Sequence, residues 1–169
     1  MRLLISAATA AGLLAGPICA TAAAESCARP LEMQAFDVEG LKSELMVVAI
    51  SCQVQERYNG FIARYQRELQ MQERAINGYF ARTSGHRAQQ MHDDYITNLA
   101  NVQSESGIQQ GTLFCAQRLP MFDEVMALGS PKELAGYAES KSLARPPGIS
   151  ECAEPEKKKK KVTAASDSK

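Results

Sequence analysis

The sequence predicts an all-α protein: a disulfide-stapled bundle of about five helices with a disordered, lysine-rich C-terminal tail. Apolar residues recur at spacings of three and four between residues 41 and 82, which is the periodicity of a helix with one buried face. The alternation with period two that a half-buried strand shows is missing from this stretch. Four cysteines follow the N-terminal segment, an even number that favours two disulfide bonds.

The N-terminal segment has the organisation of a secretory signal. A short basic start at Met1-Arg2 is followed by an apolar run over residues 3–20 and then by small residues up to Ala24. We therefore predict a signal peptide over residues 1–24, cleaved after Ala24. No later run approaches the ~20 apolar residues that cross a bilayer, so we expect no transmembrane segment after cleavage. The mature protein is expected to be periplasmic or secreted.

The four remaining cysteines are Cys27, Cys52, Cys115 and Cys152. In an oxidising compartment such a set is expected to form two disulfides. Cys52 and Cys115 lie on the apolar faces of two predicted helices, so we predict that they pair and that Cys27 pairs with Cys152. The rival pairing, Cys27 with Cys115 and Cys52 with Cys152, stays open because connectivity does not follow from sequence alone. The wide spacings disfavour a zinc site, and no C-x-x-C-H motif exists for a haem.

The first two predicted helices are A, over residues 37–57, and B, over residues 61–82. Helix A begins at Asp37, because aspartate is a favoured N-cap residue. Asn59-Gly60 separates the two helices and is predicted to form a break or kink, since Asn-Gly is a turn signal. Asn77-Gly78 keeps the helical phase and is predicted to be tolerated near the end of helix B.

Helix C is predicted to begin near His86 and to end at residues 104–107. Helix D follows over residues 108–128, and Pro120 inside it should kink the helix or start a new one. Gly129 then suits a C-terminal cap.

Helix E has the clearest local signal in the chain. Ser130 is predicted to cap it, Pro131 to take the first helical position, and Glu133 to complete a capping box. The helix should run to about Ser140. Together the five helices make one predicted domain over residues 25–145.

The C-terminal segment, residues 146–169, is predicted to be a disordered tail. Pro146-Pro147-Gly148 breaks regular structure, and five consecutive lysines run from Lys157 to Lys161. Blocks of like charge are usually solvated and unfolded. Binding of the lysines to an anionic surface is the alternative. The chain has 19 basic and 19 acidic residues, which gives no strongly basic face for nucleic acid.

The sequence contains no catalytic, cofactor-binding or metal-binding motif. His86 and His92 are six residues apart, or about 240° around a helix, so they cannot chelate a metal together. Both are expected at a solvated helix start. The G-x-S-x-G, S-x-x-K and H-E-x-x-H motifs are missing, and the glycines do not cluster as a phosphate cradle. We therefore predict no catalytic residues, no cofactor and no metal.

Three short segments carry a resemblance to a known group of proteins. They are Arg57-Tyr58-Asn59-x-Phe61 following Cys52, Gly78-Tyr79-Phe80-x-Arg82, and His92-Asp93-x-Tyr95-x-Thr97-x-Leu99-Ala100-Asn101. With these segments the chain resembles a group of uncharacterised exported proteins of alphaproteobacteria, over about residues 27–128. The resemblance implies export and a helical body, and it assigns no activity.

These observations favour a non-enzymatic periplasmic protein that binds a protein or an envelope component on a helical face. One alternative is a periplasmic stress chaperone of the helical disulfide type, which opens to expose phenylalanine and tyrosine side chains. A second alternative is an enzyme of unknown class. An enzyme would need a concave site near His92, Asp93, Asp94 or Glu105.

Overall fold

The computed structural model of the protein describes residues 26–153, and this part of the chain is an all-α fold. Its helices are α1 (Pro30–Ser51), α2 (Gln55–Ser84), α3 (Ala88–Gln110), α4 (Phe114–Arg118), α5 (Pro120–Ala127) and α6 (Leu134–Glu139). Short 3-10 turns precede α3, α4 and α6. Within the described residues the only β-type pairing is an isolated bridge between Ala28 and Glu151. The predicted fold class is confirmed. The predicted signal peptide and the lysines from Lys157 to Lys161 lie outside the described residues.

Helix α1 begins at Pro30, so the prediction of an N-cap at Asp37 is wrong. Proline takes the first helical position, and the N–H of Arg29 donates to the Glu32 carboxylate at 2.8 Å. That hydrogen bond satisfies one of the N–H groups that a helix start leaves without an intrahelical acceptor. Asp37 instead lies inside the helix, where it is only 6% exposed.

The turn between α1 and α2 lies at residues 52–54, so the predicted break at Asn59-Gly60 is wrong. Cys52 ends α1 and donates its N–H to the Val48 carbonyl at 2.9 Å, and Gln53 takes a positive φ of 58° that reverses the chain. Asn59-Gly60 lies inside α2, and a Cβ added at Gly60 would meet nothing within 4 Å. The prediction that Asn77-Gly78 is tolerated is confirmed, because α2 continues through it.

Helix α3 continues past the end predicted at residues 104–107. Gly107 is a packing residue, since a Cβ there would lie 3.2 Å from ring carbons of Phe114. The helix ends where Gly111 takes a φ of 58°, which glycine adopts without steric cost. The predicted effect of Pro120 is confirmed, because a new helix, α5, begins there. The preceding residue, Leu119, keeps helical φ and ψ, so α4 and α5 are separated by this one residue and not by a loop.

The start of α6 differs from the predicted capping box. Pro131 opens a 3-10 turn as expected, and α6 ends at Glu139, close to the predicted end at Ser140. Ser130, however, makes no side-chain capping bond. The Glu133 carboxylate accepts from the N–H of Gly129 at 3.3 Å, and Gly129 is not among the residues with positive φ. The predicted capping box is therefore wrong, and the cap predicted at Gly129 is wrong too, because Leu128 is the C-cap of α5.

Two hydrophobic clusters form the core. The joint cluster packs the C-terminal half of α1 and the start of α2 against α4, α5 and α6, around Leu45, Phe61 and Phe122. The terminal cluster packs the start of α1 against the end of α2 and the first half of α3. There the Phe36 ring meets the Tyr79 ring edge-on, with 5.0 Å between their centroids. Helices α1 and α2 therefore run antiparallel.

Helix α1 is the central element of the bundle. Every residue from Ala35 to Leu45 is buried except Lys42. A helix enclosed on all sides has no polar face directed to water, so its charged residues need partners inside the protein.

The segment after α6 belongs to the folded body, so the domain end predicted at residue 145 is too early. The N–H of Ala28 donates to the Ser150 carbonyl and the N–H of Cys152 donates to the Ala28 carbonyl, both at 2.8 Å. Ile149 packs on the terminal cluster. The described C-terminal residues are thus held against the N-terminal ones.

The two disulfides follow the predicted nested pairing. Cys52 is bonded to Cys115 with an S–S distance of 2.06 Å, and Cys27 to Cys152 with an S–S distance of 2.00 Å. The first bond attaches the α1–α2 turn to α4. The second joins the two ends of the described chain. The rival pairing does not occur.

We expect the double variant Cys52→Ala/Cys115→Ala to lose about 2–5 kcal/mol in free energy of unfolding, because the crosslink restricts the unfolded chain. Chemical denaturation followed by circular dichroism measures this loss. The variant Cys27→Ala/Cys152→Ala is the matched control. Hydrogen exchange at the amide of Val54, which donates to the Ala49 carbonyl, should accelerate in the first variant and stay slow in the second. Unchanged stability and exchange in the first variant would show that the bond does not hold the turn.

Candidate functional site

A groove with a volume of about 420 Å³ lies between α1, α2 and α3. Its lining residues are Glu39 and Lys42 on α1, Ile62, Gln66, Leu69, Gln70 and Glu73 on α2, and His92 and Ile96 on α3. The α2 residues share one helix face and span about 16 Å at ~1.5 Å per residue. We call this feature the α2 groove.

The floor of the α2 groove is apolar. Ile62 and Leu69 from α2 and Ile96 from α3 are half-buried and present aliphatic carbon to the opening. Gln66 and Gln70 are exposed and stand one helical turn apart on the rim. Their amides can each donate and accept hydrogen bonds. The groove therefore combines an apolar floor with uncharged polar groups along its length.

A buried ion pair lies at the α1 side of the groove. The Lys42 ammonium is 2.7 Å from the Glu39 carboxylate, and the Glu39 side chain is only 5% exposed. Burial raises the pKa of Glu39, and the Lys42 charge opposes that rise. The two residues lie three positions apart on α1, which places their side chains on the same side of the helix.

His92 stands at the opposite side of the groove between two carboxylates. Its Nε2 is 3.0 Å from Oε1 of Glu73, and its Nδ1 is 3.2 Å from Oδ1 of Asp93. The Asp93 contact is a hydrogen bond, whereas the Glu73 contact is close in distance but does not have hydrogen-bond geometry. The His92 side chain is 12% exposed, and its ring meets Phe80 edge-on at 5.8 Å.

The prediction that both histidines lie at a solvated helix start is thus wrong for His92, while His86 is exposed in the turn before α3. The His92–Glu73 contact joins α2 to α3, so a search along one helix does not find it. The sequence does contain a pattern that indicates which residues face the groove. Leu69 and Glu73, and likewise His92 and Ile96, form apolar–polar pairs at i, i+4 that face the same opening.

The structure does not bring the other sequence-predicted acidic residues into the groove. Asp93 does not line the groove, but its carboxylate contacts His92 at the edge of the groove. Asp94 lines a separate cleft of about 340 Å³ with aromatic residues of the terminal cluster. Glu105 lies further along α3, beside another surface depression. The concave site near His92 that an enzyme would need is present, but the four named residues do not share one pocket.

The chemistry of the groove residues favours binding contacts. The lining set holds carboxylates, amides, one ammonium and one imidazole, and none of its members is a serine, threonine or cysteine. Over residues 26–153 no group of three or more histidine, cysteine or acidic side chains is placed to hold a metal ion. Glu39 pairs with Lys42 within α1, and His92 of α3 contacts Glu73 of α2.

Two further carboxylates of α1 are buried beneath the surface and paired with arginines from distant segments. Asp37 lies 2.5 Å from Nη1 of Arg145, and Glu44 lies 3.2 Å from Nε of Arg118. Burial raises the pKa of both acids, and in each case the arginine acts against the rise.

Comparison with protein-family models, with curated proteins and with solved structures finds no match for this chain. None of the helices between residues 26 and 153 combines the length and apolar character needed to cross a membrane.

We expect the free energy of unfolding to rise as the pH falls from 7 towards 5. The folded-state pKa values of Asp37, Glu39 and Glu44 are raised by burial, so the native chain binds protons there more tightly than the unfolded chain. Stability is therefore gained as the pH falls through the raised folded-state pKa values, down to the ordinary pKa values of 3.8 for Asp and 4.5 for Glu. Urea denaturation at stepped pH measures the effect.

Below the ordinary carboxyl pKa values, the free energy of unfolding is expected to fall as the pH falls. Burial acts to raise the pKa of Glu32, but its contacts with Arg82 outweigh burial and lower it, and the Lys141 hydrogen bond lowers that of Glu124. Their contributions are lost only as the pH falls below the ordinary value of 4.5. The variant Glu44→Gln should show a smaller rise from pH 7 to 5, while Glu56→Gln, an exposed control on α2, should match the parent. A steady fall in stability from pH 7 would contradict this assignment.

Proposed function

We propose that this protein is a non-enzymatic, exported binding protein of the periplasm, which holds a short segment of a protein or envelope partner in the α2 groove. The observation that carries the proposal is the combination, in one groove, of an apolar floor and a polar rim along α2. Ligand sites in proteins generally have this composition, mostly apolar with a few polar groups that fix orientation.

The dimensions of the groove suit an extended peptide segment. Its length along α2 of about 16 Å accommodates roughly five extended residues at ~3.3 Å each. Apolar side chains of such a segment would cover Ile62, Leu69 and Ile96, which are half-buried in the free protein. The Gln66 and Gln70 amides would pair with the polar backbone of the segment, which has no partner of its own when extended.

Export is supported by the covalent structure. Two disulfides tie the described chain together, and such bonds persist in oxidising compartments. The signal peptide expected over residues 1–24 belongs to the same proposal. The periplasm is the compartment that agrees with both the disulfides and the expected signal peptide.

The pH behaviour of the buried carboxylates bears on the chaperone alternative. A chaperone of the acid-activated kind must open when the pH falls. In this fold burial raises the pKa values of Asp37, Glu39 and Glu44, so their protonation is expected to stabilise the native state. This expectation favours steady binding over acid-triggered opening.

An enzyme is the second candidate, because the His92–Glu73 contact lies in a concave site and such a pair can serve general acid–base catalysis. Two observations favour binding over this rival. No serine, threonine or cysteine side chain lines the groove. The His92 nitrogens both face carboxylates of the protein itself.

We expect a photo-crosslinking amino acid at Gln66 to capture a partner in the exported protein, because this rim position lies beside the occupied groove. Mass spectrometry of the adducts identifies the partner. The same amino acid at Gln117, exposed on α4 and remote from the groove, is the matched control. Combining the Gln66 probe with Leu69→Gln should abolish the adduct while the melting curve shows a folded chain. Equal adducts at Gln66 and Gln117, or adducts insensitive to Leu69→Gln, would contradict the proposal.

A further inference from the structure

We propose that the α2 groove selects a segment in which a lysine or arginine stands among apolar residues, with the basic head group bound by the Glu73 carboxylate. This inference rests on the proposed binding function and names the chemistry of the segment. It follows from how the charged groups around the groove are already paired.

The groups that face the groove carry an excess of carboxylate. Glu39 and Glu73 line it, Asp93 borders it through His92, and Lys42 and His92 are the basic groups. The Lys42 ammonium is 2.7 Å from Glu39, so these two charges offset each other. His92 is placed between the remaining carboxylates, and even as an imidazolium it supplies one positive charge for two negative ones.

Glu73 has an oxygen available for a ligand. Its Oε1 accepts from the Asn77 amide at 3.2 Å and lies 3.0 Å from Nε2 of His92. Its Oε2 has no hydrogen-bond or ion-pair partner among residues 26–153. The Glu73 side chain is 39% exposed, so a ligand can approach it without displacing other residues. A second cation can therefore join Glu73 while the existing contacts persist.

An acidic ligand has no such opening. Lys42 is the only lysine or arginine that lines the groove within the described chain, and Glu39 already holds it. Drawing Lys42 towards a ligand would leave the Glu39 carboxylate, which is 5% exposed, buried without a counter-charge. Breaking a buried ion pair in this way is strongly unfavourable.

The apolar floor next to Glu73 suits the stem of a basic side chain. Leu69 lies one helical turn before Glu73 on α2, and Ile96 lies one turn after His92 on α3. The methylene groups of a lysine or arginine can pack along these two side chains while the charged head reaches Glu73. An isolated ammonium ion would gain nothing from that floor, so the geometry favours a side chain on a segment.

The test uses three acetylated, amidated pentapeptides of sequence leucine-alanine-leucine-X-leucine, with lysine, glutamine or glutamate at X. Each is titrated into the full exported chain while the amide resonances of α2 and α3 are followed. We expect the lysine peptide to shift resonances of the groove residues and to bind roughly fivefold more tightly than the glutamine peptide, the size of a half-exposed ion pair. The glutamate peptide should bind most weakly. The preference for lysine should shrink at high salt.

The variant Glu73→Gln should reduce the preference for lysine over glutamine to about one, while Glu56→Gln, on the exposed first turn of α2, should leave it unchanged. Unperturbed resonances outside the groove would show that Glu73→Gln is folded. Equal affinities of the lysine and glutamate peptides, or a preference that survives Glu73→Gln, would overturn the inference. If all three peptides bind equally in the groove, basic selectivity fails while peptide binding stands. If the Gln66 adduct is absent as well, the proposed function fails.

Discussion

The burial of the middle of α1, from Ala35 to Leu45, is the constraint from which the rest of the structure follows. A helix segment buried in this way needs partners for its charged residues, because an isolated buried carboxylate is strongly unfavourable. Asp37, Glu39 and Glu44 meet this requirement in three ways. Lys42 comes from α1 itself, Arg118 from α4 and Arg145 from the segment after α6. These pairs therefore fix where α4 and the C-terminal segment lie, in addition to the apolar contacts and the two disulfides.

The α2 groove is a consequence of the same arrangement. Its α1 wall is the Glu39–Lys42 pair, which the fold requires for its own stability and which is therefore unavailable to a ligand. The opposite wall, at Glu73 and His92, is more open to solvent. On one wall Glu39 and Lys42 pair with each other, and on the other wall Glu73 can still accept a hydrogen bond. The two walls of the groove therefore differ in what they offer to a ligand. The groove thus lies at the boundary of the core, beside α1.

The fold class could be predicted because it depends on helical phase, which is local in sequence, whereas helical phase favoured one disulfide pairing and left its rival open. The phase of Cys52 and Cys115 placed both on inward faces, and the structure joins them. Helix ends were harder to predict, because glycines occur in helices for different reasons. Gly107 permits close approach of the Phe114 ring, Gly111 supplies a positive φ, and Gly60 does neither. The groove depends on residues of α1, α2 and α3 meeting in space, which no periodicity within one helix reveals.

Native-state hydrogen exchange tests the central claim most directly, because it measures how each helix opens. If α1 is the enclosed axis of the bundle, its amides over residues 36–48 should exchange only through global unfolding, with the same free energy as chemical denaturation gives. The amides on the groove side of α2, near residues 66–73, should exchange through smaller openings. Exchange of α1 through local openings of lower free energy than those of α2 would contradict the account.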